Sequence, residues 1–174
     1  MARITLLRHT TPEVTPGTCY GRTDLALAAT FPQEARAILA NLPEFDHLLT
    51  SPLTRCRQLA EAIARHTGKS ATVAPDWTEM DFGTWEGRPW SDLPRAELDA
   101  WAADFMTYCG HGGENVATLR ARIEAAHNAL PQGKCLVVTH MGCIKAARHL
   151  HGHPDAWDYK LPFGTMTNPD PSSC

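Results

Sequence analysis

The chain alternates short, wholly apolar runs with longer stretches in which apolar residues recur every third or fourth position. Ile4-Thr5-Leu6-Leu7, Leu48-Leu49-Thr50 and Leu136-Val137-Val138-Thr139 are runs of the first kind. Such runs read as strands buried on both faces of a parallel sheet. A weaker run over 71–74 stops at Pro75, and Thr165-Met166-Thr167 predicts an edge strand. Helical spacing covers 31–41, 114–130 and 143–150; in the second of these Val116, Leu119, Ile123 and Ala126 share one face. A further helix is predicted from Pro52, tolerated in a first turn, to Thr67, where Gly68 supplies the C′ glycine. Strands alternating with helices predict an α/β fold with a mostly parallel central sheet.

Between 75 and 113 the texture changes. Trp77, Trp85, Trp90 and Trp101 fall here among glycines and prolines. The stretch is expected to form a lid-like excursion over the strand ends, with one or two helices around 91–108. Its tryptophans read first as packing residues, with Trp85 or Trp90 as the alternative lining for a ring-shaped substrate. One domain is expected over 1–168, followed by a disordered tail over 169–174.

Composition narrows the classes of function. A chain of 174 residues, 43% hydrophobic and 20% charged, can bury a core without disulfides. A net charge of −3 and a pI near 6.3 argue against a nucleic-acid partner. Cys19, Cys56, Cys109, Cys135, Cys143 and Cys174 form no C-x-x-C pair and no zinc-finger spacing. No apolar run approaches membrane-spanning length and no signal peptide is recognised, so a cytoplasmic protein with reduced thiols and no membrane partner is expected. His149, His151 and His153 alternate, which on a helix splays them apart, so no metal site is expected there. Neither G-x-G-x-x-G nor a P-loop is present, and no nucleotide cofactor is expected.

Chemistry concentrates in four segments. In open α/β sheets, ligands bind beyond the carboxyl ends of the strands. Arg8-His9-Thr10 follows the first predicted strand, Ser51-Pro52-Leu53-Thr54-Arg55 the second, and His140-Met141-Gly142 the last strong one. Glu79-Met80-Asp81-Phe82-Gly83-Thr84-Trp85-Glu86-Gly87 lies in the tryptophan-rich excursion. Each alone has a plain reading: a solvated strand end, a surface arginine, a turn histidine, an exposed carboxylate. Together they fit phosphoryl transfer through a phosphohistidine, with guanidinium groups around the phosphoryl oxygens and a carboxyl group to protonate the leaving oxygen. Gly17-Thr18-Cys19-Tyr20-Gly21-Arg22 reads as a turn from which Arg22 could reach a substrate.

These segments, in this order and spacing, resemble the histidine phosphatase superfamily, with its phosphoglycerate mutase-like fold. Arg8-His9-Thr10 is similar to the family's Arg-His-Gly. The stretch 51–60 is similar to its Ser-x-Leu-x-Arg-Ala-x-x-Thr-Ala, 79–87 to its Glu-x-x-x-Gly-x-Trp-Glu-Gly, and Thr139-His140-Met141-Gly142 to its Thr/Ser-His-Gly-Gly. The resemblance implies a three-layer α/β/α sandwich and a phosphomonoesterase that needs no metal or other cofactor. It implies His9 as nucleophile, Glu79 as proton donor, and Arg8, Arg55 and His140 as phosphate ligands. Thr15, Gly21, Arg22 and Met141 complete the expected site. The texture of 79–87 and of Gly112-Gly113-Glu114-Asn115 is nearest to the α-ribazole phosphatase branch. That branch implies α-ribazole 5′-phosphate as the small-metabolite partner and a place in cobalamin nucleotide-loop assembly.

Some positions depart from the family pattern. Thr10 and Met141 replace glycines, Thr15 stands where many members carry a phosphate-binding Asn, and Leu59 replaces a helix Thr. A broad sugar-phosphate or phosphoglycerate phosphatase is the enzymatic alternative. A phosphate-recognition protein without turnover is the alternative of another class.

Overall fold

In the computed structural model, which describes residues 3–170, five strands run Arg3–Arg8 (β1), His47–Thr50 (β2), Ala71–Val73 (β3), Lys134–Thr139 (β4) and Met166–Thr167 (β5). Five α-helices run Phe31–Leu39 (α1), Thr54–Thr67 (α2), Arg95–Ala103 (α3), Val116–Asn128 (α4) and Met141–Leu150 (α5). The strands form one sheet in the order β3-β2-β4-β1-β5. All pairings are parallel except that of β5, which runs antiparallel to β1.

The period of two along each strand divides the core. Ile4, Leu6, Cys135 and Val137 face one side, packing with Leu119 and Ile123 of α4 and Ile144 and Ala147 of α5. Leu7, Leu48, Leu136 and Val138 face the other, against Ala35 and Ile38 of α1 and Leu59 and Ile63 of α2. The result is the expected three-layer α/β/α sandwich. Leu59 is fully buried in this core, which accounts for an apolar residue at that helix position.

Register decides where the chemistry emerges. Arg8 pairs with Thr139 and Thr50 with Val138, so β1, β2 and β4 end at nearly the same level. His9, Ser51 and His140 are therefore the first residues past three adjacent strand ends. The backbone ties this edge together: His9 N–H donates to Thr139 O at 3.0 Å and Ser51 N–H to Val138 O at 3.0 Å.

Several boundaries differ from the sequence expectation, each for a local reason. Pro52 precedes α2 rather than opening it. The first turn begins at Thr54, where Asp24 Oδ1 accepts from the Thr54 N–H and Oδ2 from its hydroxyl, both at 2.7 Å. That remote carboxylate performs the role of a cap. Gly68 closes α2 in the left-handed conformation, as expected. α4 starts at Val116 because the Asn115 side chain caps it, accepting from Thr118 N–H at 2.8 Å. α5 starts at Met141, not 143, directly after His140. Of the one or two helices expected around 91–108, one α-helix forms, Arg95–Ala103 after Pro94, and Trp90–Asp92 before it is a 3-10 turn.

The stretch between β3 and α4 carries two further 3-10 turns, Pro75–Trp77 and Gly83–Trp85. It builds a small core of its own, in which Cys19, Trp85 and Leu93 are buried beside Phe82, Trp90, Trp101 and Tyr108. Pro169, at the start of the expected disordered tail, is buried, and its carbonyl accepts from His153 Nε2 at 2.8 Å. Residues 171–174, including Cys174, lie outside the described residues. The five described cysteines are unbridged, and only Cys109 among them is exposed. Among the described residues no helix is long and apolar enough to cross a membrane.

Candidate active site

His9 follows β1 with 2% of its surface exposed. Its Nδ1 lies 2.7 Å from the Thr10 carbonyl oxygen. A carbonyl only accepts, so Nδ1 carries the hydrogen and Nε2 keeps its lone pair. Burial, then the charge of Arg55, and to a smaller extent that of Arg8, push the His9 pKa down to about 3, against the raising effect of the Thr10 bond. The ring is thus a neutral imidazole with a fixed tautomer at neutral pH. It stands between His140, with ring centroids 5.1 Å apart, and Phe163, at 5.4 Å.

Arg8 lies on the Phe163 ring, its Cζ 3.9 Å from the centroid, and Nη1 donates to Leu161 O at 2.5 Å. Arg55, one residue into α2, is fully buried. Its Nη1 donates to Thr23 O at 2.7 Å and its Nη2 to Gly21 O at 2.5 Å. The Nε atoms of Arg8 and Arg55 and the Thr10 hydroxyl are buried with no hydrogen-bond partner among the described residues. A buried donor without a partner costs about 1–3 kcal/mol. Three of them around one imidazole form a donor set suited to an oxyanion.

His140 is fully buried behind His9. Its Nε2 lies 2.8 Å from Ser51 Oγ and 3.4 Å from Cys56 Sγ. Burial first, then the repulsion that two protonated rings, His140 and His9, would feel, and the charges of Arg55 and Arg8, hold its pKa well below the usual imidazole range. Burial likewise raises the Cys56 thiol well above its ordinary value, so Cys56 is a neutral thiol beside the ring.

Glu79 is held by backbone. Oε1 accepts from its neighbour Met80 N–H at 2.9 Å, and Oε2 from Gly142 N–H, in the first turn of α5, at 3.0 Å. β4 fixes the segment before Glu79: Thr139 Oγ1 donates to Trp77 O at 2.7 Å. Arg122 of α4 adds a second brace, donating through Nη1 to Asp76 O and Thr78 O.

Arg8, His9 and Glu79 line a cavity of about 370 Å³. Thr18, Tyr20, Met141, Gly142 and Lys145 line it too, and Phe82, Trp90, Trp101, Phe105 and Trp157 form an aromatic wall. Trp90 and Trp101 stack at 6.0 Å with 12° between their planes. Of the two tryptophans expected as alternatives, Trp90 lines the cavity. Trp85 is fully buried, its Nε1 donating to Glu97 Oε2 at 2.5 Å.

The cavity therefore gathers Arg8, His9, Glu79 and Met141 from the expected site, with Arg55 and His140 packed behind its wall. Three expected residues lie elsewhere. Thr15 is exposed and lines a separate surface depression with Glu13 and Ala28; Thr18 takes the position facing the cavity. The isolated bridge of Thr18 to Pro89 turns that loop so that 18 and not 15 points inward. The Arg22 side chain is 46% exposed and reaches Glu114 at 3.8 Å instead. Gly21 contributes its carbonyl to Arg55. A Cβ at 21 would stand 1.8 Å from Met80 O, so its lack of a side chain serves packing against the Glu79 segment.

Tyr20, Lys145 and Phe163 were not expected. Helical spacing from Met141 signals Lys145, four residues on and so on the same face. No local pattern signals Phe163, which reaches Arg8 from the far end of the chain. The alternating histidines go to separate partners: His149 to Arg120, His151 to His127, and His153 to Arg148 and Pro169.

The model of the histidine phosphatase superfamily (branch 1) matches residues 4–167. An uncharacterized phosphatase, PhoE, of Bacillus subtilis is 29% identical over 74% of this chain and 65% of its own length. The adenosylcobalamin/alpha-ribazole phosphatase of Salmonella typhimurium is 29% identical over 58% of this chain and 53% of its own. The chain thus spans less than two thirds of each of these relatives. Among solved structures, a phosphoglycerate mutase from Thermus thermophilus superposes with a TM-score of 0.76 at 26% identity, covering 94% of this chain and 90% of that one. With the family model covering all of the strand ends and the residues that follow them, the chain belongs to the histidine phosphatase superfamily.

Proposed function

We propose that the protein is a phosphomonoesterase that works through a phosphohistidine at His9. The observation that carries this reading is the His9–Thr10 hydrogen bond: it fixes the proton on Nδ1 and leaves the Nε2 lone pair on a buried ring that borders the cavity. Nε2 attacks phosphorus, forming the N–P bond as the bond to the leaving oxygen breaks. That oxygen takes its proton from Glu79. A water then attacks phosphorus and gives a proton to the Glu79 carboxylate; the N–P bond breaks, its electron pair returns to Nε2, and phosphate departs. Arg8 and Arg55 trade carbonyl acceptors for phosphoryl oxygens, because hydrogen bonds between charged partners are roughly twice as strong. In this reading the guanidinium groups supply the positive charge that a metal supplies elsewhere.

The substrate in this reading is a small phosphorylated metabolite of the α-ribazole 5′-phosphate type. The aromatic wall supports a ring-bearing alcohol over a bare sugar phosphate or phosphoglycerate. Two measurements test the proposal. Aryl phosphate hydrolysis is followed in chelator with wild type and His9→Ala, and phosphate release is screened over a panel holding α-ribazole 5′-phosphate, sugar phosphates and phosphoglycerate. Turnover in wild type, its loss in His9→Ala and first rank for the ring-bearing ester are expected. Full turnover in His9→Ala overturns the nucleophile. An inactive wild type leaves a phosphate-recognition protein, and a preference for phosphoglycerate moves the substrate to the alternative class.

A further inference from the structure

Lys145 has no part in the chemistry proposed for His9 and Glu79. It is half-buried, borders the cavity, and makes no hydrogen bond or ion pair with any described residue. Helix side chains tilt toward the N-terminus. The stem of Lys145 therefore leads its ammonium back along α5 toward the turn where Gly142 holds Glu79. Burial lowers the Lys145 pKa, and the charges of Glu79 and Asp158 act against that shift. An ammonium kept partly out of water without an acceptor is costly unless a bound molecule supplies one.

Its position constrains what that acceptor is. Glu79, in the proposed function on which this inference rests, addresses the leaving oxygen of the ester. A donor on the same side reaches the oxygens next along the leaving alcohol, before the wall formed by Trp90, Trp101 and Phe105 is met. We propose that Lys145 is a specificity-determining residue: it donates to hydroxyl oxygens between the phosphoester and a flat ring, and so selects nucleoside-like 5′-phosphomonoesters over esters lacking those hydroxyls. A carboxylate on a short alcohol would satisfy the same ammonium, but would leave the aromatic wall without a partner.

The test uses two probes that differ only in hydroxyls, adenosine 5′-monophosphate and its 2′,3′-dideoxy analogue, with p-nitrophenyl phosphate and 3-phosphoglycerate alongside. Wild type is expected to favour the hydroxylated nucleotide by about tenfold in kcat/KM, mainly through KM. In Lys145→Met that preference falls below about twofold, and Lys145→Arg restores part of it. An equal loss on all four esters overturns the proposal, since Lys145 would then serve the phosphoryl group itself. So does a wild type that hydrolyses p-nitrophenyl phosphate yet shows no preference between the nucleotides or cleaves neither. A preference for 3-phosphoglycerate that Lys145→Met removes overturns it in favour of carboxylate recognition. Loss of all turnover in both variants overturns it as well, because a group acting on the alcohol is not required for chemistry on an aryl ester. A wild type inactive on every ester instead brings down the phosphomonoesterase reading beneath it.

Discussion

Gly142 and Glu79 are in contact through an absent side chain. The Gly142 N–H donates to Glu79 Oε2 at 3.0 Å, and a Cβ at 142 would stand 2.2 Å from Oε1. The carboxylate occupies the space that any other residue would fill. Alanine at this place suits a helix better than glycine, so Gly142→Ala is expected to keep the fold while pushing the carboxylate out of position. Acid–base catalysis by one group contributes roughly 10²–10⁴-fold. We expect kcat on an alkyl phosphate to fall at least about a hundredfold, with an unchanged far-ultraviolet spectrum. Activity near wild type would mean that Glu79 is not the proton donor.

Glu79→Gln tests the same group by its chemistry instead of its place. Glutamine keeps the shape, but its one oxygen can accept from only one of the Met80 and Gly142 N–H groups, and it carries no transferable proton. Esters with poor leaving groups need that proton, and activated aryl esters depart largely without it. The variant is expected to lose far more rate on alkyl than on p-nitrophenyl phosphate. Equal slowing of both would assign Glu79 to positioning, not to proton transfer.

The parts of this site readable in the sequence are those tied to periodic structure. His9, Ser51 and His140 sit one residue past strands whose apolar runs announce themselves, and a parallel register places such ends together. The loop over 11–30 has no period. Its course is set by distant partners: Pro12 bridges Leu27, Thr18 bridges Pro89, and the Glu86 carboxylate accepts from the Arg22 and Thr23 N–H groups. Thr15 was expected at the site from its place in the family pattern and Arg22 from its place on the loop after the first strand, and those partners direct them elsewhere. Lys145 was not expected, although helical spacing from Met141 carries a signal for it. Phe163 under Arg8 was not, since nothing local in 160–165 encodes a contact with β1. The start of α2 was misplaced because its cap, Asp24, is supplied from another loop.

Arg122 and Glu114 join α4 to the segment that carries Glu79. Arg122 Nε and Nη2 reach Glu114 Oε1 and Oε2 at 3.0 and 2.7 Å, and its Nη1 reaches the carbonyl of Thr78 at 2.8 Å. Their side chains are 15% and 7% exposed. Removing one partner of a buried pair costs about 3–5 kcal/mol where the other charge is left unpaired; Arg22, 3.8 Å from Glu114, offsets part of that here. Arg122→Met is expected to lose stability, by less than that figure, in urea unfolding and to reduce kcat by loosening Glu79. Arg122→Met with Glu114→Gln should recover part of the stability but not the kcat, since the tie to Thr78 stays broken. Recovery of both would limit Arg122 to charge compensation.

The buried imidazoles give stability a definite dependence on acid. His9 has a folded pKa of about 3 and that of His140 is well below the ordinary value, whereas in the unfolded chain both titrate near the usual value of about 6.5. Above that value both states hold these rings neutral, and they contribute no pH dependence. Below it the unfolded chain binds protons that the folded chain does not, so stability falls as pH falls. Each ring contributes a slope of about 1.4 kcal/mol per pH unit until its folded pKa is reached, at about 3 for His9. Burial lowers the His111 and His151 pKa values too, so they add to the loss in the same direction. The transition midpoint in urea, followed from pH 7 down to pH 5, is expected to decline steadily, and His9→Asn should remove about one proton from that slope. The same depressed pKa keeps the His9 ring neutral through this range, so any acid limb in kcat/KM near pH 6 belongs to another group. A His9→Asn slope identical to wild type would show that His9 titrates alike in both states, and the neutral, pre-set imidazole on which the proposed chemistry depends would be lost.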